Sequence, residues 1–217
     1  ADKQLSLLVP KVTLKLKPPI IVTPEQYSKI KDAAKGTIVY YATVCAYRTG
    51  MRLSDVCLLK WENINFDELV IIYTPYKTRK KGKMAACPIV AGGDLHQVLL
   101  ELREIPPHPN PMWKPYVSPE LAMSYPMYFD NKSVDLVPPV SNQFTHLCRR
   151  LGYNDLTFHK LRNAFMSRLV ANNVSWPAAC QITGLTSFEV YLRYAKPELA
   201  NLRAQMAKLD EPPLCQS

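Results

Sequence analysis

The sequence predicts an α+β domain that is mainly α, with a helical core and a small antiparallel sheet. Three observations support this fold class. Apolar residues recur at helical spacing toward both ends of the chain, two short apolar runs flank one basic turn, and 47% hydrophobic content over 217 residues is enough for a sizeable core. We find no internal repeat, and we expect residues 1–20 to form a linker arm and residues 21–217 to form one domain.

The helices are predicted from caps and apolar periodicity. Thr23 occupies an N-cap position and Gln26 completes a capping box, while Ser54 can cap a short third helix. The second helix is apolar on nearly every face, so it should be central and buried, and Gly50 ends it. Helices are predicted at about 24–34, 36–50, 55–60, 94–105, 142–151, 158–173, 176–183, 187–194 and 198–209.

Two apolar runs bounded by turn residues predict the sheet. LVIIY (69–73) and MAACPIV (84–90) are typical of strands, joined here by the basic hairpin TPYKTRKKGK, and the pattern leaves room for a third strand near the start of the domain. Residues 106–139 contain nine prolines and few periodic positions. They should therefore form a long irregular loop, with room for one short helix near Pro119.

The charge balance favours a polyanionic partner. Lys and Arg total 27 against 18 Asp and Glu, which gives a net charge of +9 and a pI near 9.2. Nucleic acid fits this charge, and an anionic membrane surface would fit it equally well. The sequence has no run of about 18 uncharged apolar residues, and its start lacks the order of a signal peptide, so we expect an intracellular protein.

Metal and cofactor chemistry is not indicated by the sequence. The six cysteines show no CxxC spacing and mostly lie inside apolar runs, which is typical of buried free thiols. None of the four histidines is paired with another at i, i+4 spacing. We therefore expect neither a protein-bound metal nor a cofactor.

Three segments carry candidate chemistry: TGMRLSDVCLLKW (49–61), TFHKLRNAFMSRL (157–169) and GLTSFEVYLRYAKP (184–197). Together they resemble the signature of the tyrosine recombinase (phage integrase) family, and the resemblance covers about residues 21–200. That family has an arginine in a TGxRxSE-like turn, a lysine on a hairpin, a HxxR pair and a tyrosine late in its catalytic domain. The resemblance assigns these positions to Arg52, Lys77, His159, Arg162 and Tyr194.

Arg52 and Arg162 would clamp a phosphate. A DNA phosphodiester under attack carries extra negative charge on its non-bridging oxygens, and planar guanidinium groups match that charge bidentately. A lone arginine is more often a surface or salt-bridged residue, and the shared motif contexts favour the clamp. Asp55, three residues after Arg52 on the same helical face, would hold it in position.

Tyr194 would be the nucleophile. A tyrosine hydroxyl has an ordinary pKa of about 10, so attack at neutral pH needs nearby positive charge or a base. His159 is the base that the HKLR context indicates, although a lone histidine beside apolar residues is usually a core residue. Tyr194 is the tenth residue after Gly184, as the family pattern requires, whereas Tyr191 falls where threonine is common.

Lys77, in YKT at the start of the hairpin, would protonate the departing 5′ oxygen, since an ammonium group on a flexible stem suits that task. The register of this lysine could slip within the basic turn, and a charged hairpin tip is normally a solvated turn. Further basic residues are expected to contact the DNA backbone without reading sequence: Arg79, Lys80, Lys81, Arg149 and Arg150.

One position departs from the family pattern. Leu185 follows Gly184 where relatives usually carry histidine or tryptophan. A leucine can pack under the helix that carries the tyrosine, but it cannot donate a hydrogen bond. We therefore expect lower catalytic efficiency from this substitution.

The resemblance implies a site-specific DNA recombinase or integrase. It would cleave one strand at a time, form a 3′-phosphotyrosyl link and rejoin that end to a partner's 5′-hydroxyl, without ATP or metal. Two alternatives stay open. One is a catalytically impaired DNA-binding protein on the same scaffold, motivated by Leu185, and the other is a DNA-relaxing topoisomerase with the same tyrosine chemistry.

The resemblance also implies the partners. Relatives bind double-stranded DNA as tetramers, exchange C-terminal segments between protomers and carry an N-terminal core-binding domain, which this sequence starts too late to contain. We expect a cytoplasmic, nucleoid-associated protein. The predicted helix 198–209 has an apolar stripe that would dock in an adjacent protomer or fold back onto its own core: Leu199, Leu202, Met206 and Leu209.

Overall fold

The computed structural model describes residues 19–104 and 137–194. Its elements confirm the predicted α+β class, mainly helical with a three-stranded antiparallel sheet. Residues 1–18 of the predicted linker arm, the short helix near Pro119 and the helix at 198–209 lie outside this description. In the part of the chain that is described, no helix is long and apolar enough to cross a membrane.

The first half of the domain contains four helices: α1 (Pro24–Ala34), α2 (Ile38–Thr49), α3 (Leu53–Cys57) and α4 (Asp94–Glu104). The predicted capping box opens α1, because the Thr23 side chain accepts from the Gln26 N–H at 3.2 Å and the Gln26 side chain accepts from the Thr23 N–H at 3.0 Å. The prediction for the third helix was shifted. Its N-cap position is Arg52 rather than Ser54, because Leu53 is buried and belongs to the first helical turn.

The second half contains α5 (Val137–Arg150), α6 (His159–Ala171), α7 (Trp176–Thr183) and α8 (Phe188–Leu192). α5 begins at 137 rather than at the predicted 142. Pro138 and Pro139 lie in its first turn, where a missing N–H costs nothing because these N–H groups have no intrahelical partner. The start of α5 therefore lies within the proline-rich residues 106–139, which we had predicted to be a loop.

The sheet contains β1 (Ile64–Asn65), β2 (Val70–Tyr73) and β3 (Ala85–Pro88), in the order β1-β2-β3 with both pairs antiparallel. The third strand is therefore β1, beside β2, and not a strand near the start of the domain, for which the sequence left room. A two-residue strand is too short for alternation to show in the sequence. The turn after it is closed by the Asn65 side chain, which accepts from the N–H groups of Asp67 and Glu68.

The connection between β2 and β3 is a six-residue 3-10 helix, Tyr76–Lys81, which Gly82 ends with a φ of 62°. We predicted a basic hairpin at this place, and the structure confirms the two strands and adds the helical turn between them. Lys77 therefore lies on a short helix and not on a strand.

The core lies around α2, which packs against α1, α3, α4, α5 and α6 and confirms the predicted central helix. Burying one such aliphatic or aromatic side chain stabilises the fold by about 1.5–3 kcal/mol. The largest fully buried side chains include Ile30, Val44, Val56, Ile71, Leu99, Phe144 and Leu161. α7 packs against β3. The ends of α2 and α7 both contact α6 through Arg162, which donates to the carbonyls of Gly50 and Thr183.

We expect Gly50→Ala to lower the free energy of unfolding more than Gly36→Ala, by about 1–3 kcal/mol. Both glycines have positive φ, 68° and 78°, so each substitution strains the backbone. A Cβ on Gly50 would lie 2.4 Å from Cδ1 of Phe165, whereas a Cβ on Gly36 would meet nothing within 4 Å. Urea unfolding of both variants measures the difference, and equal losses would show that the ring moves aside freely.

Candidate functional site

Arg162 connects the first two motif segments with Thr183, the residue directly before the third segment. It lies on α6, one turn after His159, and is only 5% exposed. Its Nη1 donates to the carbonyl of Gly50 at 2.5 Å and to that of Thr183 at 3.4 Å, and its Nη2 donates to Thr183 at 3.5 Å. The end of α2, the start of α6 and the end of α7 therefore meet at one guanidinium group.

These contacts leave one edge of the Arg162 guanidinium for a ligand. A guanidinium carries five N–H groups, and the two backbone carbonyls engage three of them. The remaining pair, Nε–H and the second Nη2–H, forms the side-on edge that binds phosphate oxygens bidentately. Burial and the charge of Arg52 lower the pKa of Arg162, but a guanidinium stays charged at neutral pH.

Asp55 contacts both Arg52 and the lysine-bearing turn. Its Oδ2 lies 3.8 Å from Nη1 of Arg52, and its Oδ1 accepts from the backbone N–H of Tyr76 at 2.7 Å. Asp55 is 4% exposed, and burial raises the pKa of its carboxyl against the opposing effects of the Tyr76 N–H, Arg52 and Arg162. The structure thus places Asp55 beside Arg52 and in contact with Tyr76, the residue before Lys77, and its role in holding Arg52 stays a prediction.

Polar atoms without a hydrogen bond lie at this carboxylate and near it. Among the described residues, Nη1 of Arg52, Oδ2 of Asp55 and Oη of Tyr73 are buried and make no hydrogen bond. Leaving a buried donor unpaired costs about 1–3 kcal/mol, and a bound anion would satisfy the arginine. Tyr73 lies close enough to Asp55, Arg52 and Arg162 for their charges to affect its pKa, which burial raises.

His159 is the first residue of α6 and has the electrostatic setting of a base. Loss of water lowers its pKa from the ordinary 6.5, and the positive charges of Arg162, Lys160, Arg52 and Lys77 lower it further. The imidazole is therefore neutral at pH 7 and can accept a proton. The same effect shows that Lys77, whose side chain is exposed, lies within electrostatic range of His159.

The structure separates the two candidate tyrosines. Tyr191 donates from its hydroxyl to the carbonyl of Val174 at 2.5 Å, and its ring packs edge-on against Trp176 with centroids 5.5 Å apart. Its hydroxyl therefore has a structural partner. Tyr194 follows α8, is half-buried, and lies close enough to Arg162 for that charge to lower its pKa against the larger raising effect of burial.

Asn163 is a residue of this site that the motif analysis missed. Its Oδ1 accepts from the hydroxyl of Tyr194 at 2.7 Å, and its Nδ2 donates to the carbonyl of Ile20 at 3.2 Å. It is 6% exposed. The available signal was a single amide beside the apolar residues Ala164, Phe165 and Met166, since a buried polar side chain needs a partner.

Leu185 is 7% exposed, directly after Gly184, which ends α7 with a φ of 63°. A Cβ on Gly184 would lie 2.4 Å from Cγ of Pro75, so this turn contacts the chain just after β2. Leu185 is therefore held in the interior beside the lysine-bearing segment. That burial agrees with the packing role we predicted for it, although its support of the tyrosine's helix stays a prediction.

The predicted DNA-contacting residues are on the surface. Arg79 and Lys80 share the 3-10 helix of Lys77, and Arg79 lies over the Tyr76 ring at 4.2 Å from its centroid. Arg149 and Arg150 are exposed at the end of α5. Lys81 ends the 3-10 helix, and its side chain is outside the description. DNA contact by these residues stays a prediction.

The side chains of this site are of the kinds that can bind a phosphate and transfer a proton. The site combines two arginines, a neutral histidine, a nearby lysine and a half-buried tyrosine. Across residues 19–104 and 137–194, no group of three or more His, Cys, Asp or Glu side chains is placed to hold a metal ion.

Comparison with known proteins gives a match to a family model over part of the chain and a fold over most of it. Residues 21–102 match the model of the phage integrase family. The structure is similar to the Tn1549 transposon integrase in complex with transposon right end DNA, with a TM-score of 0.67 and 21% identity over 97% of this chain and 71% of that chain. No curated protein matches the sequence.

Two further structures share the fold. XerA recombinase has a TM-score of 0.59 and 20% identity over 97% of this chain and 71% of that chain. A lambda integrase dimer bound to a COC' core site has a TM-score of 0.58 and 24% identity over 81% of this chain and 47% of that chain. The predicted fold class, the tyrosine recombinase catalytic domain, is thereby confirmed.

Proposed function

We propose that the chain is a member of the phage integrase family, whose model its residues 21–102 match and whose tyrosine recombinase fold it has, and that it cleaves and rejoins DNA strands. The observation that carries this proposal is the Arg162 guanidinium. It is buried, and the carbonyls of Gly50 and Thr183 do not occupy its side-on edge. Tyr194 lies within electrostatic range of its charge. A phosphodiester bound to this edge would be next to a nucleophile.

The residues divide the reaction among them. The Tyr194 oxygen attacks the phosphorus while His159 takes the phenolic proton, and the bond between phosphorus and the 5′ oxygen breaks. Arg52 and Arg162 stabilise the negative charge of the pentacoordinate transition state. Lys77 gives a proton to the departing 5′ oxygen. The products are a 3′-phosphotyrosyl link and a free 5′-hydroxyl, and attack by a partner strand's 5′-hydroxyl reverses the steps.

We propose double-stranded DNA as the partner and assembly on it as a tetramer. Lambda integrase has been solved as a dimer bound to a COC' core site and as a tetramer bound to a Holliday junction. The net charge of +9 and the exposed Arg79, Lys80, Arg149 and Arg150 support phosphate contacts. This partner implies an intracellular protein of the cytoplasm, associated with the nucleoid.

Covalent trapping tests the proposal. The chain is incubated with nicked duplexes of random sequence, on which cleavage releases a short fragment and leaves the protein attached, and the trapped DNA is sequenced. We expect a protein–DNA species that survives denaturation and carries a preferred sequence. Binding without any covalent species would favour the impaired scaffold suggested by Leu185. Relaxation of a supercoiled plasmid that lacks the preferred sequence would favour a topoisomerase.

The pH dependence of cleavage tests His159. Its lowered pKa means that the neutral base is present down to below pH 6.5, so the rate at limiting DNA should fall only as the pH drops below 6.5. His159→Asn should slow cleavage and remove this acid limb. His146→Asn, which changes an exposed histidine on α5, is the matched control. A limb above pH 6.5, or one that survives in His159→Asn, would show that another group is the base.

A further inference from the structure

The proposed nucleophile is held by a side chain that has no place in the proposed chemistry. The hydroxyl of Tyr194 donates to Oδ1 of Asn163 at 2.7 Å. Asn163 follows Arg162 directly on α6 and is 6% exposed. Because an amide can neither accept the phenolic proton as a base nor stabilise a phosphorane by charge, this contact needs a separate explanation.

The second contact of Asn163 fixes the direction of the first. Nδ2 of Asn163 donates to the backbone carbonyl of Ile20 at 3.2 Å. A carbonyl can only accept, so it selects the NH₂ end of the amide, and the amide oxygen is left to face Tyr194. That oxygen can also only accept. Tyr194 must therefore donate its single hydroxyl proton to Asn163.

We propose, on the basis of the proposed function, that Asn163 is a positioning residue that latches Tyr194 in a resting state. The proton donated to Asn163 is not donated to His159, so the base has nothing to accept while the latch is closed. Attack requires the hydroxyl to leave the amide oxygen and turn toward the base. The latch thus keeps the nucleophile inside the site of its own chain and restrains it until a phosphate arrives.

The surroundings of the Tyr194 phenol also favour its neutral, unreactive form. Burial raises the pKa of Tyr194, against the lowering effects of Arg162 and Arg193. A hydrogen bond donated by the phenol stabilises the same neutral form. Breaking the bond to Asn163 removes this stabilisation from the resting state alone, which brings the resting state closer in free energy to the transition state.

Two substitutions with opposite expected effects test the latch. Asn163→Leu removes the acceptor and keeps a side chain branched at Cγ, so single-turnover cleavage of the nicked duplex should become roughly two- to tenfold faster. Asn163→Asp keeps an acceptor and adds charge, which strengthens the bond from the phenol, so cleavage should become roughly tenfold slower. Asn172→Ala, which removes an amide contact to the Arg168 carbonyl at the end of the same helix, should leave the rate unchanged.

Rate changes in opposite directions distinguish the latch from a general loss of structure, since structural damage would slow cleavage in both Asn163 variants. Slower or unchanged cleavage in Asn163→Leu, with normal DNA affinity, would overturn the proposal. If the leucine variant does not fold, Asn163→Ala also lacks the acceptor and carries the same expectation.

The latch can also be tested without cleavage. Tyrosines labelled with ¹³C at Cζ are titrated in the full chain, and the Tyr194 resonance is identified by its loss in Tyr194→Phe. The pKa of Tyr194 should be lower in Asn163→Leu than in the natural chain, and no change would overturn the latch. This result does not depend on activity. A lowered pKa in a chain that captures no DNA would support the latch and reject the proposed function.

Discussion

Tyr194→Phe should abolish covalent DNA capture, a loss of at least about a thousandfold, while DNA affinity stays near that of the natural chain. The substitution removes only the oxygen that would attack phosphorus. The ring keeps its half-buried position, and the lost hydrogen bond to Asn163 should lower the free energy of unfolding by only about 1 kcal/mol. Gel analysis of trapped protein–DNA species, with binding measured in parallel, gives both quantities.

Tyr191→Phe is the matched control for this result. It also removes one hydroxyl hydrogen bond, the 2.5 Å contact to the Val174 carbonyl, and it keeps the packing on Trp176. Stability should fall by about 1 kcal/mol, and capture should persist. Capture that survives in Tyr194→Phe and vanishes in Tyr191→Phe would move the nucleophile to Tyr191.

The second large effect concerns Arg162→Lys, which should lower the single-turnover cleavage rate by about a hundred- to a thousandfold. Lysine keeps a positive charge but lacks the planar fork. It cannot bind the carbonyls of Gly50 and Thr183 and still present two parallel N–H groups to a phosphate. The variant therefore separates bidentate geometry from charge.

Arg168→Lys controls for damage to α6. Arg168 lies on the same helix and donates to the backbone carbonyl of Tyr47, with its guanidinium over the Tyr47 ring. Its replacement should lower stability without a comparable loss of cleavage rate. Near-normal cleavage in Arg162→Lys would show that charge alone suffices, and equal losses in the two variants would show that the effect comes from the helix.

Local signals were enough to predict most helices. The capping box at Thr23 and the positive-φ end at Gly50 depend on residues within one or two helical turns. All the residues that form these caps are therefore neighbours in the sequence. The strand at Ile64–Asn65 and the start of α5 were missed for the converse reason. A two-residue strand has no period, and Pro138-Pro139 are compatible with a loop as well as with a first helical turn.

Contacts of the candidate site between residues close in sequence could be predicted from the motifs. Contacts with backbone groups of distant residues could not. Arg52 and Asp55 are three residues apart, so their proximity follows from helical spacing. Arg162 and Gly50 are 112 residues apart, and their contact uses a carbonyl that every residue has. The contacts of Asn163 with Ile20 and Tyr194 likewise depend on the tertiary fold, which brings these distant residues together.

Tyr194 is expected to form the covalent link to DNA, and peptide mapping of the trapped complex tests this. The nicked duplex is captured by the natural chain, the DNA is trimmed to a nucleotide remnant, and the protein is digested and sequenced by mass spectrometry. We expect a single phosphotyrosyl remnant on Tyr194, joined through the 3′-phosphate. A remnant on Tyr191 or any other residue, or a link through a 5′-phosphate, would contradict it.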